Sequence, residues 1–166
     1  MGLHVIVVGG GIIGSSTAYY LTKRGAEVTL LEGKDIASGT SGSCDQAIML
    51  QSKKPGPTLE LAKESAKIYA TLEEELQEDL EYKKAGGMII IETLKEMEAI
   101  RVMVERQRNA GIDVQLISRK EAKERLPDLA DHILGATWWE HDAEVNPLKV
   151  SFAMARAAKR NGAKIR

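Results

Sequence analysis

The feature that most constrains this chain is Gly9-Gly10-Gly11-Ile12-Ile13-Gly14, which matches G-x-G-x-x-G with glycines at Gly9, Gly11 and Gly14. Its surroundings give it weight. Residues 3–8 are a short apolar run rich in β-branched side chains, the pattern of a fully buried strand. Residues 15–23 read as a helix, and Gly25 falls where a helix C-terminus favours a left-handed residue. Residues 27–31 read as a second strand, ending at Glu32. Strand, glycines, helix, strand and terminal acid in this order predict a Rossmann-like βαβ unit in an α/β fold.

Each motif position has a physical task. Gly9 permits a tight turn out of the strand, and Gly11 lets the backbone approach a pyrophosphate. Gly14 lets the helix pack close to the strand, an approach that small Ala18 extends. Free N–H groups at the helix start, with Ile12 and Ile13 among their carriers, suit phosphate oxygens. Glu32 follows Gly9 by 23 residues, close to the roughly 20 expected of an acid that takes ribose hydroxyls. A glutamate there would repel a 2′-phosphate, which disfavours NADP. The bland alternative is a βαβ unit whose glycines serve only a tight turn. The fingerprint by itself does not separate FAD from NAD.

Composition narrows the partners. The chain has 166 residues, 43% apolar and 28% charged, which is a globular balance rather than a disordered one. Lys and Arg total 23 against 24 Asp and Glu, for a formal net charge of −1. That gives no electrostatic case for nucleic acid or an anionic membrane. A single cysteine, Cys44, excludes an internal disulfide framework and a cysteine-based zinc site. No apolar run is long enough to span a bilayer, and no secretory signal pattern opens the chain. The expected location is cytoplasmic.

After Glu32 comes a small-residue loop, Asp35-Ile36-Ala37-Ser38-Gly39-Thr40-Ser41-Gly42-Ser43. With the fingerprint, this resembles the D-amino-acid oxidase-like family of flavoproteins, which includes glycine and sarcosine oxidases and D-amino-acid dehydrogenases. The resemblance assigns the acid-and-basic pair that ends the second strand to Glu32 and Lys34, with Gly33 between them. It assigns the loop contacting flavin and diphosphate to Ser38-Gly39-Thr40-Ser41, with Thr40 and Ser41 as its binding residues. It continues through Ala85-Gly86-Gly87-Met88-Ile89-Ile90-Ile91, Leu126-Pro127-Asp128-Leu129, Gly135-Ala136-Thr137, Val145-Asn146-Pro147 and residues 157–165. Two departures stand out. The family often places small residues after this loop, whereas this chain has Cys44-Asp45-Gln46-Ala47. Family members also run to about twice this length or more, so the sequence reads as an N-terminal portion.

Further along, Lys53-Lys54-Pro55-Gly56-Pro57 is a breaker. A long helix is expected from Thr58 to about Tyr82, with Leu61, Ser65, Ile68, Leu72, Leu76 and Leu80 facing inward. Glu73-Glu74-Glu75 reads as a solvated face. Thr93-Leu94-Lys95-Glu96 and Ser118-Arg119-Lys120-Glu121 have capping-box spacing, predicting helices from there to about Asn109 and up to Pro127. Strands are expected at 86–91, 112–117 and 133–139, with a last helix from Asn146-Pro147 to about Asn161. The expected domains are an incomplete FAD-binding domain, residues 1–83 and 141–166, and part of an inserted α+β substrate-side lobe, residues 84–140.

Glu140-His141-Asp142 raises a metal or acid–base site, but no second histidine stands at useful spacing. His4, His132 and His141 read as loop or strand-end residues. Of Trp138-Trp139, alternation sends one ring to the core, and simple packing is the favoured reading of the pair. Cys44 reads as a thiol without a role.

The resemblance implies the FAD-binding portion of an oxidoreductase that oxidises an amino acid or secondary amine by hydride transfer to flavin. No residue here is a strong candidate for catalytic acid or base. The alternative is a nucleotide-binding module without activity of its own, or a subunit needing a complementary chain. An NAD-binding domain is a weaker third reading, against which the Thr40-Ser41 loop argues. The implied partners are a small amine or amino-acid substrate, together with either self-association or a complementary C-terminal polypeptide.

Overall fold

The structure, a computed structural model, describes residues 2–166. In chain order its elements are β1 (His4–Val8), α1 (Ile12–Lys23), β2 (Glu27–Leu31), α2 (Thr40–Ser43), β3 (Ala47–Ile48), α3 (Pro57–Tyr69), α4 (Leu72–Leu76) and β4 (Gly87–Ile91). There follow α5 (Leu94–Asn109), β5 (Gln115–Ser118), α6 (Arg119–Arg125), β6 (Gly135–Trp139), β7 (Ala143–Glu144), α7 (Pro147–Arg160) and β8 (Lys164–Ile165). They form two compact units. One holds Met1–Gln46, Tyr69–Tyr82 and Val145–Arg166; the other holds Ala47–Ile68 and Lys83–Glu144.

The first unit is built on a parallel sheet of order β1-β2-β8. Val5 and Val7 stand beside Val28 and Leu30. The latter two are fully buried, and burial of such a side chain is worth roughly 1.5–3 kcal/mol. α1 covers this face with Ser15, Ala18, Tyr19 and Thr22, which recur at helical spacing and are all buried. α7 packs on α1 through a second small-residue face that includes Ala153, Ala157 and Ala158. The Asn146 side chain starts α7 by accepting from the Leu148 and Lys149 amides at 3.1 Å, with Pro147 in the first turn.

β1 is not the fully buried strand its composition suggests. It pairs with β2 alone, and Ile6 and Val8 are 61% and 81% exposed. They lie on the sheet face opposite the two helices, where no described element of this unit covers them. The expected long helix is also two helices. α3 ends at Tyr69, and α4 begins after Thr71 and closes at Gln77 in a left-handed conformation (φ 57°). The break divides the inward residues between the units. Leu72, Leu76 and Leu80 are buried in the first, while Leu59 is buried in the second. Leu61, expected inward, is 73% exposed.

Nor is Glu73-Glu74-Glu75 wholly solvated. Glu73 accepts from the Leu80 and Tyr82 amides, and Glu75 accepts from Tyr19 Oη at 2.8 Å and Lys23 Nζ at 2.7 Å. The Lys23 hydrogen bond holds the Glu75 carboxyl below its ordinary range.

In the second unit an antiparallel sheet of order β4-β6-β5 carries α6 on one cluster of Ile117, Ala122, Ile133 and Ala136. A second cluster gathers Leu50, Leu59, Val104, Ile112 and Val114. Leu50 and Leu59 bind residues 47–68 into this unit. Both capping boxes form: Glu96 N–H donates to Thr93 Oγ1 at 3.2 Å and Glu121 N–H to Ser118 Oγ at 3.3 Å, each reciprocated by the glutamate. The strand expected at 112–117 begins only at Gln115, because Ile112 and Val114 sit in a local turn with their side chains in the core. Trp138 packs on the first cluster and Trp139 on the second, so both rings are half-buried.

Candidate functional site

The turn from β1 to α1 has the geometry its glycines imply. Gly9 adopts φ 104°, a conformation that side chains strain to reach. A Cβ on Gly14 would lie 1.8 Å from the Gly9 carbonyl oxygen and 3.5 Å from Val7, so only glycine lets the helix start this close to the strand. The first turn of α1 leaves donors over. The Ile12 amide donates to Ser41 Oγ at 2.9 Å, and the Ser15 amide donates to the Gly11 carbonyl at 2.9 Å. The amides of Gly11, Ile13 and Gly14 have no protein acceptor among the described residues. They stand at the positive end of a 12-residue helix.

Glu32 closes the other side. Its Oε2 accepts from the Gly10 amide at 2.6 Å and its Oε1 from the Lys34 amide at 2.8 Å. The Gly10 hydrogen bond first, then that of Lys34, holds the carboxyl below its ordinary range. It is therefore an ionised acceptor facing the glycine turn.

The structure thus gathers Gly9, Gly11, Ile12, Ile13, Gly14, Glu32 and Ser41 around one turn. Gly33 and Lys34 are exposed, and Lys34 enters through its backbone rather than its ammonium. Thr40 opens the short α2 and is exposed.

Several residues at the turn escaped the motif reading. Ser15 Oγ donates to the Gly10 carbonyl at 3.2 Å, and the Ala37 amide donates to the same oxygen at 3.1 Å. A Cβ on Gly10 would meet Ile36 Cδ1 at 2.5 Å, so a side chain here would push the tip of Ile36 aside. Only the run of three glycines hinted at that. Cys44 is exposed, its thiol 3.4 Å from the Ser41 carbonyl.

The histidines do not converge. His4 bonds Thr29, His132 bonds Glu92, and His141 lies edge-on to Trp139. Among the described residues no group of three or more His, Cys, Asp or Glu side chains is placed to hold a metal ion. Asp142, part of the Glu140-His141-Asp142 run, is buried in a hydrogen-bonded knot instead. It accepts from the Leu50 amide at 2.8 Å and Gln51 Nε2 at 2.6 Å. No described helix is long and apolar enough to cross a membrane.

What the turn can do is hold a diphosphate on the free amides with an adjoining diol on Glu32. The residues fit a dinucleotide: three unpaired donors, a carboxylate acceptor, and a surface kept clear of side chains by glycine.

The family model described as FAD dependent oxidoreductase (DAO) matches residues 4–166. The chain is 32% identical over 164 residues to the mitochondrial regulatory subunit of mouse pyruvate dehydrogenase phosphatase, covering 98% of this chain and 19% of that protein. It is 32% identical over 166 residues to glycine oxidase of Bacillus licheniformis, covering 96% of this chain and 44% of that protein. The crystal structure of glycine oxidase from Geobacillus kaustophilus superposes with a TM-score of 0.92 at 29% identity, over 97% of this chain and 45% of that one. The chain therefore spans less than half the length of these relatives.

Proposed function

Since this chain belongs to the DAO family of FAD-dependent oxidoreductases, we propose that it is the FAD-binding portion of an enzyme that oxidises an amino acid or a secondary amine. The observation that carries this reading is the cluster of unpaired Gly11, Ile13 and Gly14 amides in the same turn whose Gly10 amide donates to the Glu32 carboxylate. In this reading the first unit binds the nucleotide: Gly9, Gly11, Ile12, Ile13 and Gly14 form the diphosphate cradle and Glu32 takes the ribose hydroxyls. Ser41 pins the loop from Thr40 to Ser43 to the helix start through the Ile12 amide, with Gly33 and Lys34 lining the approach. The second unit is part of the substrate-side lobe.

Flavin, when bound, would supply the hydride acceptor for the amine carbon. This chain's residues supply the binding and orientation. They place no acid or base that we assign to proton transfer.

Completion of the first unit's sheet, by self-association or by a complementary C-terminal polypeptide, is part of the reading. The exposed edge of β1 and the bare face bearing Ile6 and Val8 support this, because parallel sheets are stable when both faces are covered. A cytoplasmic location is part of the reading, checked by cell fractionation.

Reconstitution tests it. The purified chain is mixed with FAD and the flavin absorbance retained after gel filtration is measured. Stoichiometric retention supports the reading, and none overturns it. Amine-dependent bleaching of that absorbance only after the complementary polypeptide is added supports the division of labour.

A second reading is a regulatory nucleotide-binding module without turnover. The similarity to a phosphatase regulatory subunit favours it. FAD retention with no amine-dependent reduction, even with the complement present, would select it.

A further inference from the structure

A groove of about 660 Å³ runs along α5 in the second unit, away from the glycine turn and unused by it. That size lies within the roughly 300–1,000 Å³ of small-molecule sites. Its floor is one face of the helix: Ala99, Val102 and Met103, then Arg106, Asn109 and Ala110, recurring three and four residues apart. The adjoining face of the same helix is the one in the core, with Val104 and Gln107 buried and Ala110 packed at its edge. So α5 carries apolar side chains beyond its core face, at Ala99, Val102 and Met103, and these are open to the groove: Val102 is 47% exposed. The facing wall is Ser52 to Pro55.

This wall is held in place. The buried Gln107 side chain donates through Nε2 to the Gln51 carbonyl at 2.8 Å and to the Lys53 carbonyl. The Lys53 amide donates to the Leu50 carbonyl at 2.9 Å, and Lys63 Nζ reaches the Ala110 carbonyl at 2.7 Å at the far end. The groove is therefore built before any ligand arrives, which reduces the ordering cost of binding. Its charge is one-sided. Lys53, Lys54 and Arg106 line it, no acid does, and none of the three makes a salt bridge among the described residues.

We propose that this groove binds an amphiphilic carboxylate, an aliphatic or aryl acid. The apolar body lies on Ala99, Val102 and Met103, and the carboxylate is met by Lys53, Lys54 and Arg106. A compact polar anion would leave the floor unused. A neutral amphiphile would leave Lys54 and Arg106 without a salt-bridge partner, Lys53 already feeling the Asp142 carboxylate.

The test uses the intact chain and four probes of one kind: octanoate, octylamine, 1-octanol and inorganic phosphate, followed by amide chemical shifts. Octanoate is expected to move the amides of 52–55 and 99–110 in a saturable way, with the other three at least about tenfold weaker. The exposed double variant Lys53→Glu, Lys54→Glu should weaken octanoate about tenfold or more. Val102→Asp should do the same, while Lys95→Glu, which lies outside the groove, should leave binding unchanged. Three results would overturn the proposal. One is octanol binding as tightly as octanoate. Another is phosphate alone reproducing the shifts. The third is octanoate shifts confined to 3–8, the exposed apolar strand. None of these outcomes depends on flavin binding.

Discussion

Replacing Asp142 by alanine should destabilise the second unit by about 2–6 kcal/mol. The carboxyl is 1% exposed and accepts from the Leu50 amide and from Gln51 Nε2. Truncation strands both buried donors, at about 1–3 kcal/mol each. Gln51 has little freedom to recover, since its Nε2 also donates to the Gly87 carbonyl and its Oε1 accepts from Thr137 Oγ1. Nor can the backbone slide in, because Gly87 already lies so close that a Cβ there would be 2.6 Å from Asp142 Oδ2. The loss is a large fraction of an ordinary domain's stability.

The pH dependence follows from the same burial, which raises the Asp142 carboxyl above its ordinary range. A raised carboxyl favours the folded state in its protonated form. Its contribution is fully present below the unfolded value of about 3.9 and is lost as pH rises through the folded value. Glu75 and Glu78, whose carboxyls are lowered by Lys23 and Arg156 respectively, act in the opposite sense and are lost on acidification. The difference between wild type and Asp142→Asn therefore isolates the Asp142 slope. Urea denaturation followed by circular dichroism, at intervals from pH 4 to 7, measures both quantities. A loss below about 0.5 kcal/mol for Asp142→Ala, the range of an ordinary surface substitution, would refute the argument. So would a wild-type advantage over Asp142→Asn that grows as pH rises.

Gly11→Val places a branched side chain where even a Cβ would stand 3.0 Å from Ser41 Oγ; FAD retention after gel filtration should be abolished while the far-ultraviolet circular dichroism is kept. Glu32→Ala should weaken FAD about tenfold in a fluorescence titration, having removed the acceptor for the ribose and for the Gly10 and Lys34 amides; an unchanged dissociation constant would place the ribose elsewhere. Ile6→Glu should reduce self-association of the isolated chain in sedimentation velocity, because Ile6 lies on the exposed face of an edge strand; unchanged sedimentation of a self-associating chain would exclude that face.

Local chemistry determined much of this protein. The glycine turn, the two capping boxes, the Asn146-Pro147 start of α7 and the β2 strand all form at the residues that signal them. The capping boxes and the Asn146 cap depend on partners within a few residues, so there the sequence carries the whole instruction. The convergence of Glu32 on the turn was legible for a related reason, since the length of the βα connection sets where the second strand ends. What needed tertiary structure were outcomes decided by distant partners. An unbroken helical periodicity at 58–82 concealed a division between α3 and α4, because leucines at helical spacing do not say which core they enter. Glu73 and Glu75 looked like a solvated run until Leu80, Tyr82, Tyr19 and Lys23 were brought to them. Asp142 looked like a member of a surface cluster beside His141. Its burial is decided by Leu50 and Gln51, roughly 90 residues away in sequence, whose donors no local pattern encodes.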